Sequence, residues 1–153
     1  MRSDLVIPGA ELDDVVVSYG LGMASPFEDL RQVATQLAGV LLLATAGSRA
    51  AAWGHPMLRL AEDMHQGAME RIRSATVPRG AAHHHYHLVK AGSLIGDALR
   101  SCKAARVLAA DVDPALSSLR DGWEQLRLTA AALPGFEVIA FDRACCAEHV
   151  RMA

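Results

Sequence analysis

The chain has 153 residues, enough for one domain whose core buries roughly 70% of the extended-chain surface. Hydrophobic residues make up 52% and aromatics only 5%, so alanine, leucine and valine fill the core, a composition that suits close helix packing over a sheet sandwich. A formal net charge of -2 removes the electrostatic case for nucleic acid, and no segment reaches the ~20 consecutive apolar residues of a membrane span.

Met1 to Gly9 lacks the apolar stretch of a signal peptide. Asp14-Val15-Val16-Val17-Ser18-Tyr19 is short and β-branched, and is expected to be a strand or an extended segment. Ser25-Pro26-Phe27-Glu28 combines a cap, a proline at the first helical position and a capping-box glutamate, which predicts a helix over 26–46. Phe27, Leu30, Ala34, Leu37, Leu41 and Ala44 recur along it at helical spacing. Gly47 is a natural stop, and Ala50-Ala51-Ala52-Trp53 can prolong the helix to Gly54. Val40-Leu41-Leu42-Leu43 leaves this helix no polar face, which points to a central position or a homodimer interface.

A second helix is predicted over 56–76, with Met57, Ala61, Met64, Ala68, Ile72 and Ala75 on its apolar stripe, ended by Pro78 and Gly80. A third spans 81–110, lined by Leu88, Ala91, Ile95, Ala98, Leu99, Cys102, Ala105 and Ala109. Asp113-Pro114 opens a fourth over 114–133, with Leu116, Leu119, Trp123, Leu126, Ala130 and Leu133 on its stripe. Phe136-Glu137-Val138-Ile139-Ala140-Phe141 matches the N-terminal segment in composition and is expected to be extended. The short connections predict an all-α, up-down-up-down four-helix bundle with short extended N- and C-terminal segments, one domain over 1–153.

Four of the seven histidines fall within five residues: His83-His84-His85-Tyr86-His87. On a helix these positions scatter around the circumference. His84 points with Leu88 and Ala91 toward the core, His87 lies about 60° to one side, and His83 and His85 diverge toward solvent. The i,i+4 pair His83/His87 and the i,i+3 pair His84/His87 can each place two imidazoles on one ion. His65 falls on the apolar arc of the second helix, and a hairpin closing near Pro78 would bring it near His87 and His84. A transition metal such as zinc is the cofactor this grouping would take. Glu62-Asp63-Met64-His65 supplies one Glu-x-x-His, where di-iron bundles use two, so a bundle metalloenzyme stays an alternative without its carboxylates.

Cys145, Cys146 and His149 form a second candidate cluster with soft ligands or vicinal thiols, against the plainer expectation of small apolar residues packed on the bundle. Three cysteines without an export signal are expected to be reduced thiols in a cytoplasm.

His87-Leu88-Val89-Lys90-Ala91-Gly92-Ser93 resembles the active-site signature of histidine phosphotransfer domains, four-helix bundles that relay phosphate between response regulators. The resemblance implies that His87 accepts the phosphoryl group and Lys90 holds its charge. Ala91 stands where that family has glycine, and Gly92 comes one residue late. Together these features predict a non-enzymatic helical-bundle protein of accessory or regulatory type, with a metal or small-ligand site at His65, His84, His87 and His83. A signalling module acting through His87 and Lys90 is the alternative.

Overall fold

In a computed structural model, the structure describes residues 13–137. Among these the chain is all-α: α1 (Asp14–Thr45), α2 (Arg49–Trp53), α3 (Met57–Ser74), a 3-10 turn (Arg79–Ala81), α4 (Ala82–Leu108) and α5 (Asp113–Ala132), with no strand. None of these helices is long and apolar enough to cross a membrane.

The first helix corrects two expectations. The segment from Asp14 to Tyr19 is the opening of α1 and is not extended. Asp13 caps it, its side chain accepting from the Val15 N–H, and Pro26 lies inside the helix. Val16, Tyr19 and Met23 are buried at helical spacing, so packing overrides the β-branched run at Val15-Val16-Val17. Proline in a helix interior leaves the carbonyl four residues earlier without its partner. Pro26 occupies that position while fully buried beside Phe27, so burial offsets the lost bond.

The other helices keep close to their expected spans. The buried residues form one cluster drawn from every helix, with Leu30, Leu37, Leu41, Ile72, Leu88, Ile95 and Leu126 among its largest members. Burying each such side chain contributes roughly 1.5–3 kcal/mol. α1 packs against α3 and α5, and α4 packs against α3 and most extensively against α5. Val40, Leu41 and Ala44 are inside the chain's own core, and Leu43 is half-buried, so Leu42 alone of that apolar run is well exposed.

Glycines set how closely the helices approach. A Cβ on Gly92 would stand 2.1 Å from Met69 Sδ, and one on Gly96 would stand 3.0 Å from His65 Cε1, so α3 and α4 meet where α4 has no side chain. A Cβ on Gly122 would stand 3.0 Å from Ile95 Cγ1. That approach turns α5 so that Ala115, Leu119, Gly122, Leu126 and Thr129 face inward. Leu116, Trp123 and Ala130, expected on the stripe, sit at its margin: Leu116 is exposed and the other two are half-buried. Asp113 is the first residue of α5 and not its cap, which is Val112, and Asp111 Oδ1 accepts from the Asp113 N–H. After Leu133 the chain turns at Gly135, whose φ of 90° favours glycine, and buries Phe136 against Phe27 with ring centroids 5.1 Å apart. Residues 138–141 of the second expected extended segment lie outside the described residues.

Candidate functional site

The histidine run opens α4, and the helix divides it into two networks. His84 is buried, as its direction along the helix predicts, and Tyr19 of α1 meets it. Tyr19 Oη lies 3.1 Å from His84 Nδ1 and 3.1 Å from His85 Nδ1. One hydroxyl carries one hydrogen, so it donates to one of these nitrogens and accepts from the other. His84 Nε2 is buried with no partner. The assignment that orphans no buried N–H has His84 Nδ1–H donating to Tyr19 and the Tyr19 hydroxyl donating to His85 Nδ1. His84 Nε2 then keeps a lone pair, beside a Phe136 ring 4.4 Å away between centroids. Burial, reinforced by His85 and His87, pushes the His84 pKa down to about 4, and burial lowers that of His85 as well. Burial raises Tyr19 to about 12, so the hydroxyl keeps its proton.

The second network lies between α4 and α5. His87 is buried, with its Nδ1 2.8 Å from Gln125 Oε1 and its Nε2 3.3 Å from His83 Nε2. An amide oxygen only accepts, so His87 Nδ1 carries the proton and its Nε2 presents a lone pair toward His83. The His83 and His87 rings stand edge to face with centroids 4.5 Å apart, and the Tyr86 ring stands edge to face with His87 at 5.2 Å. His83 is exposed, so the pair opens to solvent on its side.

His65 belongs to neither network. Its Nε2–H donates to the Gly92 carbonyl at 2.7 Å, in the gap left by Gly96. Gly92 is five residues beyond His87, roughly 7 Å along the helix axis. The structure therefore brings His83 to His87, turns His84 toward Tyr19, and uses His65 to tie α3 to α4. Among the described residues no group of three or more histidine, cysteine or acidic side chains could hold a metal ion. Cys145, Cys146 and His149 lie outside the described residues. Lys90 Nζ sits 5.8 Å over the Tyr86 ring, so its charge is directed at an aromatic face.

Two participants carry no signal in the sequence: Tyr19 sits in a β-branched run that reads as extended, and Gln125 lies 38 residues from His87 with no spacing rule linking the two. Neither a family model, nor a curated protein, nor a solved structure matches the chain.

Proposed function

We propose that this is a non-enzymatic helical-bundle protein of accessory or regulatory type that binds a transition metal at His83 and His87. One observation carries the reading: two imidazole Nε2 atoms stand 3.3 Å apart while Gln125 holds the far nitrogen of one of them. Metal-binding histidines almost always donate their other N–H to an acceptor, which sets the tautomer and aims the lone pair. Two nitrogens bound to zinc at about 2.0–2.1 Å and a tetrahedral angle stand about 3.3–3.4 Å apart. The observed separation is therefore that of one edge of such a site.

The contacts of α1 with α3 and α5, and of α4 with α3 and α5, support a four-helix bundle of single-domain type with α2 as a corner. A cytoplasmic location accords with the reduced-thiol reading and with Cys102, a buried free cysteine. Of the Val40-Leu41-Leu42-Leu43 run expected to form an apolar homodimer face, Leu42 is exposed.

The phosphotransfer alternative gains less support. It needs an acceptor exposed to a partner protein, whereas His87 is 9% exposed. The metalloenzyme alternative needs carboxylates inside the bundle, and the buried polar side chains among the described residues are His84, His87 and Thr129.

Isothermal titration of zinc into the tag-free, metal-stripped chain tests the proposal. Saturable binding that His87→Ala abolishes is expected. Binding unchanged in both His83→Ala and His87→Ala would overturn it.

A further inference from the structure

Far from the histidine run, α2, the start of α3 and the end of α4 enclose a solvent-open cleft of about 980 Å³. Leu99, in its lining, is twelve residues beyond His87, roughly 18 Å along the axis of α4. Pockets for small organic ligands run from roughly 300 to 1,000 Å³ and are mostly apolar, with a few polar groups that fix orientation. This cleft has both parts. Leu58, Leu99 and Cys102 line it with apolar atoms. Burial pushes the Cys102 thiol up to about 11, so it keeps its proton and adds no charge. Ala52 is fully buried and anchors α2, and the next residue, Trp53, lines the cleft half-buried. The charged lining is Arg59, Lys103 and Arg106 against Glu62 and Asp63. Three cations against two carboxylates make the cleft net positive in a chain of formal net charge -2. Lys103 Nζ stands 3.4 Å from Glu62 and ties α4 to α3 there. Two guanidinium groups, one on each helix, are left against the single carboxylate of Asp63, and among the described residues neither is in an ion pair.

We propose that this cleft binds an aromatic carboxylate, its ring against Trp53 and the apolar floor and its carboxylate on Arg59 and Arg106. A guanidinium is a planar fork that matches a carboxylate through two parallel N–H···O bonds, and it sheds water more readily than an ammonium. Charge-assisted bonds of this kind fix orientation as well as adding affinity. A flat ring suits an indole wall, because aromatic pairs gain more than the area they bury. A cationic ligand would meet like charge from both arginines, and a neutral one would gain no charge-assisted bond. The groove between α1 and α5 also carries one tryptophan and two arginines, Trp123, Arg31 and Arg120. There Arg31 is paired with Glu28 and Arg120 with Asp121, so both cations already have a carboxylate. Binding in the cleft is non-covalent, and it is independent of the metal-binding reading of His83 and His87.

The test is a titration of naphthalene-2-carboxylate into the tag-free full chain, followed by nitrogen–proton NMR. The chain has two tryptophans, so Trp123→Phe assigns both indole N–H signals. The Trp53 signal is expected to shift saturably while that of Trp123 stays in place. Arg59→Glu combined with Arg106→Glu is expected to weaken the affinity roughly tenfold or more, as loss of a charged hydrogen bond does. Both side chains are exposed, and circular dichroism checks that the double variant is folded. The neutral naphthalene-2-carboxamide is expected to bind roughly tenfold more weakly than the carboxylate. Absence of a saturable Trp53 shift would overturn the proposal, and a shift of Trp123 in its place would put the ligand in the groove between α1 and α5. A carboxamide that binds as tightly, or a charge-reversed variant with wild-type affinity, would overturn the assignment of the carboxylate to the arginines.

Discussion

Gln125 Oε1 accepts from His87 Nδ1 at 2.8 Å, and that bond decides which nitrogen of His87 is free. Because α5 supplies the acceptor and α4 the imidazole, the packing of two helices sets a tautomer. Removing the acceptor should loosen the ring without removing a ligand. Gln125→Ala is expected to lower zinc affinity 10–100-fold, the usual cost of losing such a partner, while the protein stays folded. Competition titration against a chromophoric chelator measures it, and an affinity equal to wild type would show that the amide does not aim the ring.

Tyr19 joins α1 to the opening of α4 through both His84 and His85. Tyr19→Phe keeps the ring and leaves the buried His84 Nδ1 without a partner, which should cost roughly 1–3 kcal/mol in urea unfolding. Nitrogen NMR of the wild type should report His84 as the Nδ1–H form and His85 as the Nε2–H form. The reverse pair of tautomers would contradict the hydrogen-bond assignment.

Acid should destabilise the fold over a defined window. His84 has its pKa lowered from 6.5 to about 4 in the folded chain, mainly by burial. Below pH ~6.5 the unfolded chain takes up a proton that the folded chain refuses, so stability falls as pH drops toward ~4 and levels off beneath it for this group. The loss approaches about 3 kcal/mol, and His85 acts in the same direction. Unfolding free energies at several pH values follow the trend, and His84→Phe should flatten it. A wild-type stability independent of pH between 7 and 4 would contradict the assignment.

Gly92 and Met69 mark the closest approach of α3 to α4. Gly92→Ala must displace the Met69 sulfur and is expected to cost roughly 1–3 kcal/mol by overpacking. The loss should shrink when Met69→Ala is combined with it, since the clash is then removed. A Gly92→Ala protein as stable as wild type in thermal melts would mean that Met69 simply swings away.

The periodic stripes made much of this fold legible. Phe27, Leu30, Ala34, Leu37, Leu41 and Ala44 are all buried as their spacing predicts, and so are Leu88, Ala91, Ile95, Ala98, Leu99, Cys102 and Ala105. His84 follows the same rule, because direction on a helix is set by residue number alone. Three features were hidden. Ser25-Pro26-Phe27-Glu28 carries every local mark of a helix start, yet the burial of Val16, Tyr19 and Met23 extends α1 through it. The inward face of α5 depends on Gly122 meeting Ile95, a contact between helices that no single-helix pattern contains. Tyr19 on α1 and Gln125 on α5, the partners of the run, lie 38 to 66 residues away in sequence, so spacing within the run could not name them.

The central claim is that His83 and His87 hold a metal ion together, and anomalous scattering at the zinc edge tests it most directly. Crystals of tag-free protein grown with zinc should show a peak about 2.0–2.1 Å from His83 Nε2 and from His87 Nε2. A zinc-free pair in such crystals, or a peak bound only elsewhere on the chain, would contradict the account.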